Sequence, residues 1–347
     1  MNFSIAMATF NGARFIDEQL ASIRDQSFPP AELVVCDDGS TDDTVVIVER
    51  FAKTASFSVR LERNSQRLGV SENFLKAAAL CRHDWIAFSD QDDVWDQAKL
   101  DTIRNLVRQR PSLLLVAHRA ILVDDRLRPL GELLRVPPVL KLTVLPRMSR
   151  NFWLHPYGFT MAFDARLVRE FPIHGRPVDN FDRWIFALAT ALGDVAYLPQ
   201  PLAMYRRHDT NFSKIVPPVP WSTGLVDPKT WSGFAQTAEL LGGLSTYLEQ
   251  CAQSASTPDA ALLADSARAY ERMAKWLARR SAFYGSKRFL VGKAGLYFSM
   301  LTSGAYSRYA KGGLGWRAGL RDAAHLALSQ TARLARFVRN AWTTEIQ

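Results

Sequence analysis

Between Trp85 and Asp96 the chain reads WIAFSDQDDVWD, an apolar run that ends in the carboxylates of Asp90, Asp92, Asp93 and Asp96. Like charges this close repel, and apolar neighbours add a desolvation cost, so a positive partner is expected beside them. In an extended chain residues i and i+2 point to one side, which puts Asp90 and Asp92 together and turns Gln91 away. Two such carboxylates make half a site for a hard divalent cation, Mg²⁺ or Mn²⁺, with waters and phosphate oxygens completing the shell. The chemistry implied is a cation that carries a diphosphate. The competing structural use is local: Asp93 or Asp96 would cap the helix expected at 97–109.

Those carboxylates need a scaffold, and the pattern around them supplies one. FSIAMATF, ELVVCDDGS, SVRLERN and WIAFSD read as strands. NGARFIDEQLASIRDQS, TVVIVERFAK, SENFLKAAALC and AKLDTIRNLVRQR read as helices between and after them. Ser40, with Asp43 three positions on, fits an N-cap for the second helix. Such alternation predicts an α/β fold with a mostly parallel sheet flanked by helices. Ligands of such sheets gather at the carboxyl ends of the strands, where this chain places Thr9 and Asn11, Asp37 and Asp38, and Asp90 and Asp92. The stretch 112–178 is less regular, VDNFDRWIFALATALG reads as a helix, and DVAYLPQPLAMYRRH as a strand running into a loop. Asp90–Val94 also satisfies D-x-D-x-[TV], the nucleophile motif of haloacid-dehalogenase-class phosphatases, although here it lies on about the fourth strand.

Taken in order, ATFNG, ELVVCDDGSTDDT, RLGVSENF, FSDQDDVW, YGFTMAF and FDRWIFALATALGDVAYLPQPLAMYRRHDTNFS resemble glycosyltransferase family 2 over about residues 1–215. The DQDDVW and YRRHDTN forms look most like its bacterial rhamnosyltransferase-like members. The resemblance implies a GT-A (Rossmann-like) fold and inverting, metal-dependent transfer of a sugar from a nucleotide sugar, with L-rhamnose from dTDP-rhamnose the first candidate and another hexose from a UDP-sugar the second. It implies that Thr9, Asn11, Asp38, Asn73 and Asp90 line the nucleotide-sugar pocket, with Asp38 accepting from the base and Asp90 holding the ribose or a metal-bound water. Gly69 would sit in the loop beside the nucleotide. Asp92 would bind Mn²⁺ or Mg²⁺ directly and His208 would supply another ligand. Asp182 matches the acidic position of the general base; Asp179, three residues earlier, is the other candidate and suits a helix cap better. Phe181 stands where relatives often have His, Arg183 where they often have Trp, and Phe10 where Tyr is usual, which leaves the acceptor open. A phosphatase and a non-catalytic binding protein that keeps the fold are the readings from other classes.

Composition fits a folded protein: 347 residues, 48% apolar and 22% charged. Cys36, Cys81 and Cys251 show no metal-ligand spacing, which suits a reduced setting, and neither a signal peptide nor an 18-residue apolar run is recognised. The net charge of +9 is unevenly spread. Residues 1–267 hold 28 basic and 31 acidic residues, whereas 268–340 hold 15 basic and two acidic. From Trp316 to Trp342, Trp316, Leu320, Ala323, Ala327, Leu334 and Val338 form one narrow helical stripe, with Arg317, Arg321, Arg336 and Arg339 off it. Such a helix packs on its own protein or lies on an anionic membrane; no motif accompanies it that would suit nucleic acid. The organisation expected is a catalytic domain over 1–225 and a helical, basic region over 226–347. The location expected is cytoplasmic, on the inner face of the cell membrane, with a glycan or lipid-linked saccharide as acceptor.

Overall fold

The computed structural model describes residues 1–132, 141–145, 147, 156–172, 180–209, 211, 228–254, 259–285, 290–307, 319, 320, 322, 323 and 326. The chain divides into two compact units, Met1–Met148 with Phe152–Ser213, and Lys214–Gln347 with Ser149–Asn151.

The first unit is built on one sheet. Strands β1 (Phe3–Thr9), β2 (Glu32–Asp37), β3 (Ser58–Arg63) and β4 (Trp85–Ser89) run parallel in the order β3-β2-β1-β4. β1, β2 and β4 are apolar and buried on both faces, as strands covered by helices must be. The connecting helices are α1 (Ile16–Arg24), α2 (Thr44–Ala52) and α3 (Val70–Leu80); α4 (Lys99–Gln109) follows β4. Beyond β4 the sheet becomes mixed. β9 (Met161–Asp164) pairs antiparallel with both β4 and β6 (Leu113–Val123), and β10 (Asp194–Arg206) runs parallel to β6. Short strands complete it: β5 (Val94–Trp95) and β8 (Thr143–Leu145) pair with β10, and β7 (Pro129–Glu132) pairs with β6. The irregular stretch after 112 therefore holds the strands that close the sheet beside β4. β10 keeps one strand identity through Pro199 and Pro201 because register shifts between Leu198 and Met204 absorb the missing donors.

Helix α5 (Arg166–Arg169) is a single turn; α6 (Phe181–Leu192) is buried along its whole length except at Asp182 and Arg183. Two capping expectations are corrected. Helix α2 starts at Thr44, beyond the reach of Ser40, whose hydroxyl and N–H instead donate to Asp37. Asp42 serves the helix, accepting from the Thr44 N–H at 3.1 Å. At α4, Asp96 accepts from the Ala98 N–H at 2.8 Å, while Asp93 is fully buried and caps nothing.

The second unit is helical among its described residues: α7 (Pro228–Ser254) and α8 (Asp259–Gly285) pack on each other, and α9 (Leu290–Thr302) follows. Leu241, Leu244, Tyr247 and Leu248 meet Leu263, Tyr270, Met273 and Leu277 in its buried core. No described helix is long and apolar enough to cross a membrane. Most of the stripe expected over 316–342 lies outside the described residues.

Candidate active site

Parallel pairing brings the carboxyl ends of β1, β2 and β4 side by side, with Thr9 opposite Asp37 and Met7 opposite Ser89. The Thr9 hydroxyl donates to Asp37 Oδ1 at 2.9 Å, and Asp37 also accepts from the Gly39 and Ser40 N–H groups. Asn11 sits in the left-handed region at φ +48°. There its Oδ1 accepts from the Thr41 N–H at 2.9 Å and its own N–H donates to Ser40 Oγ. The loops after β1 and β2 are thus laced into one rim. Thr9 is buried within the rim and Asn11 is exposed on it.

Asp38 is buried and accepts from Asn64 Nδ2 (3.0 Å), Leu68 N (2.6 Å) and Gly69 N (2.8 Å). Gly69 adopts φ +83°, which L side chains rarely adopt, to turn the chain into α3 with its N–H on that carboxylate. Asn73 joins the same network: its amide donates to the Cys36 carbonyl at 2.8 Å and its carbonyl accepts from Asn64 at 2.9 Å. A carboxylate has room for about four hydrogen bonds, so Asp38 retains acceptor capacity. The Arg67 guanidinium lies 4.0 Å from Asp38 and 3.8 Å from the centre of the Phe10 ring.

β4 ends at Ser89, so the D-x-D residues occupy a bend after the strand rather than an extended segment. Gln91 turns to the rim, bonding the Phe10 backbone through Oε1 (2.9 Å) and Nε2 (3.1 Å). Asp92 Oδ2 lies 2.8 Å from His208 Nε2, and Asn211 Nδ2 donates to the same oxygen at 3.2 Å. These residues meet because β5 pairs with Met204 and Ala203 of β10, which delivers the end of β10 beside the bend. The His208 ring lies tilted against the Phe15 ring, with centres 4.6 Å apart. Arg206, also buried, ties the corner together through its N–H to Asp93 (3.2 Å), Nε to the Asp92 carbonyl (2.9 Å), Nη1 to the Asp125 carbonyl (2.9 Å) and Nη2 to Glu18.

Among the described residues no three His, Cys, Asp or Glu converge tightly enough to hold an ion alone. The pair Asp92 and His208 nevertheless fits one: neighbouring ligands about 2.1 Å from an octahedral ion stand about 3.0 Å apart, and these donors stand 2.8 Å apart. A carboxylate oxygen with an imidazole nitrogen suits Mn²⁺ well, leaving the other positions for water or phosphate.

Asp182 lies in the first turn of α6, near enough for its charge to raise the Asp90 carboxyl. Burial pushes the Asp182 carboxyl up to about 6, against the lowering effect of Arg183. Asp90 is pushed up to about 8 by burial, then by the charge of Asp92; Lys99 opposes this. Asp179 lies outside the described residues. Phe181 belongs to the core: it stacks on Phe74 at 4.6 Å and meets Phe88 edge-on at 4.9 Å.

Several residues that shape the site were not singled out in the sequence. Lys99 is fully buried under the acidic bend, donating to the Phe159 carbonyl at 2.9 Å with its ammonium 3.5 Å from the Trp95 ring centre. Burial holds it well below the usual lysine range, while Asp93 and Asp90 pull it up. Asp93 is held well above the carboxylate range by burial, then by Asp90 and Asp92, and its Oδ2 has no hydrogen-bond partner among the described residues. His118, fully buried, is lowered by burial and by Lys99. The positive partners that the acidic run demanded therefore include Lys99 and Arg206 of this chain. A readable signal existed for Lys99: it falls on the helical stripe of Ile103 and Leu106, where an apolar residue is usual.

The model of the family "Glycosyl transferase family 2" matches residues 4–174, from the first strand through the D-x-D bend and past α5. Residues 4–174 belong to glycosyltransferase family 2. The D-x-D bend falls inside the matched stretch, in a family of glycosyltransferases, which argues against the phosphatase reading of Asp90. The chain is 28% identical over 218 residues to the uncharacterized glycosyltransferase alr2836 of Nostoc sp., covering 61% of this chain and 66% of that protein. It is 37% identical over 98 residues to the dTDP-rhamnosyl transferase RfbG of Shigella flexneri, covering 27% of this chain and 34% of that one. The matches thus span between a third and two thirds of these relatives. The crystal structure of S. aureus TarS 1–349 superposes with a TM-score of 0.55 at 15% identity, covering 96% of this chain and 92% of that chain. That likeness shows a GT-A-like fold.

Proposed function

We propose that this glycosyltransferase moves a hexose, first L-rhamnose from dTDP-rhamnose, onto a bacterial surface polysaccharide or lipid-linked saccharide, with inversion. The observation that carries the reading is the meeting of Asp92 and His208 at 2.8 Å after the end of β4, with the charges of Asp92 and Asp182 both acting on Asp90. Asp92 and His208 would hold Mn²⁺ or Mg²⁺, which when bound neutralises the charge of the departing nucleoside diphosphate. Asp38 takes the base N–H with its remaining acceptor capacity, and Thr9, Asn11 and Asn73 keep the rim in shape around the nucleotide. Asp90 holds the ribose or a metal-bound water. Asp182, the candidate base ahead of Asp179, removes the proton of the acceptor hydroxyl as it attacks the anomeric carbon from the face opposite the leaving group. The similarity to a dTDP-rhamnosyl transferase supports the donor. A UDP-hexose is the second reading, favoured by a superposition of TM-score 0.52 on S. aureus TarS in complex with UDP-GlcNAc.

The basic C-terminal region supports a place for the enzyme on the anionic inner face of the cell membrane, where a lipid-linked acceptor would be met. A thermal-shift panel of dTDP-rhamnose, UDP-GlcNAc and their nucleoside diphosphates, with and without Mn²⁺, tests the donor site, since a ligand of the native state raises its stability. Mn²⁺-dependent stabilisation, greatest with the dTDP series, is expected. Stabilisation by UDP compounds alone replaces the donor, and none by any nucleotide overturns the reading.

A further inference from the structure

In the helical unit α9 turns a lysine inward and two large apolar side chains outward. Lys293 is 7% exposed, with its ammonium 5.9 Å from the centre of the Phe283 ring, and Met300, two turns on, is fully buried on the same side. Phe298 is 58% exposed and Leu301 49%, with Gly295 also open to solvent. The same arrangement recurs in the segment near 320. Asp322 is fully buried, accepting from Arg280 Nε and Nη2 and from the hydroxyls of Tyr284 and Tyr306 at 2.6–3.0 Å. Leu320, two residues earlier, is 57% exposed. Tyr306 lies 5.8 Å from Tyr297, so this segment is tied to the end of α9.

Charged side chains turned inward and large apolar ones turned outward suit a surface that meets lipid rather than water. We propose that the outer face of α9, with Phe298 and Leu301, together with Leu320, seats this unit on an anionic lipid bilayer. The three side chains enter the headgroup boundary while basic residues meet lipid phosphates. Charge selects that partner. Lys287 and Arg288 precede α9, Arg308, Lys311, Arg317 and Arg321 follow it, and the lone acid between 272 and 340, Asp322, is already paired with Arg280. A second copy of this chain would bring the same positive charge, so self-association through this face is disfavoured. At 13 residues α9 is about 20 Å long, too short to cross a hydrocarbon core of about 30 Å, and so lies along the surface.

This inference deepens the membrane reading above and rests on it. The test uses the full chain, co-sedimented with vesicles of equal parts phosphatidylglycerol and phosphatidylcholine and with phosphatidylcholine alone. The wild type is expected to bind the mixed vesicles, and a Phe298→Ser/Leu301→Ser/Leu320→Ser variant to lose about tenfold or more in partitioning. Its melting temperature and nucleotide thermal shift should be unchanged, because all three side chains are exposed and remote in sequence from the donor site. Equal binding by this variant, with loss on neutralising the tail arginines, overturns the apolar face and leaves the membrane reading standing. No binding by the wild type overturns both. A dimer that the triple variant dissolves, without vesicle binding, assigns the face to a second copy and overturns the proposal.

Discussion

Replacing Asp92 by Asn keeps the shape of the side chain and removes its charge. If Asp92 is a direct ligand in a site with few protein donors, Mn²⁺-dependent thermal stabilisation by nucleotide is abolished while the metal-free melting temperature stays near wild type; unchanged Mn²⁺ dependence refutes the assignment. Asp182→Asn should lower turnover by roughly 10²–10⁴-fold with donor binding close to intact, and Asp179→Asn should cost much less. The reverse order would exchange the two roles. The pH dependence has a definite sign. Burial raises Asp182 to about 6, and the carboxylate is the working base, so turnover falls as pH drops through about 6. Its contribution to stability runs the other way, favouring the fold below the ordinary carboxylate range and being lost as pH rises through about 6. A limb in the pH–rate profile near 6 that disappears in Asp182→Asn is the expected record. At Lys99, Met keeps much of the volume and removes the cation facing Asp90 and Asp93. The loss should be about 2 kcal/mol or more in a denaturant titration, since the Phe159 carbonyl and buried carboxylates lose their donor and counter-charge.

At the scale of elements, the site depends on α6 being pressed against the sheet. Gly158 makes this possible: a Cβ there would stand 2.7 Å from the Phe181 ring. Phe181 in turn stacks on Phe74 of α3, and the neighbouring Phe159 carbonyl takes the Lys99 ammonium from α4. One short turn thus links the helix that carries Asp182 to the elements that carry the nucleotide rim. Gly158→Ala should destabilise by about 1–3 kcal/mol through overpacking, and should lower turnover more than nucleotide affinity because it displaces α6 rather than the rim. Chemical denaturation and separate kcat and KM values check both parts; a variant with wild-type kcat would detach Gly158 from the positioning of Asp182.

For the whole molecule, the decisive feature is the separation of charge between a slightly acidic front and a strongly basic last quarter. Arg317, Arg321, Arg336 and Arg339 are each worth about 1 kcal/mol near an anionic surface, a contribution that salt screens within about 10 Å at 0.1 M. Changing all four to Gln should weaken co-sedimentation with phosphatidylglycerol vesicles at low salt, and the difference should close as salt rises. Equal binding to neutral and anionic vesicles would mean that these charges face protein.

Strands β1 to β4 and β10, their order along the chain and the carboxylates at the ends of the second and fourth were legible in the sequence, because buried strands and amphipathic helices write their periods locally. Asp90 and Asp92 stand out for the same reason, as charges at the end of an apolar run, whereas Asp182 is marked out by the resemblance to family 2. What the sequence does not carry is pairing across distance. That β9 inserts antiparallel between β4 and β6, and that β5 draws the end of β10 onto the bend, follow from register between segments up to about 110 residues apart. Only that register brings His208 and Arg206 to Asp92 and Asp93. The same holds for Lys99, whose charge in an apolar stripe makes sense only with Asp90, Asp93 and Phe159 around it. Local pattern decides which face of an element is buried; what that face meets is decided by packing in three dimensions, and so the counter-charges of the acidic run became visible only in the folded chain.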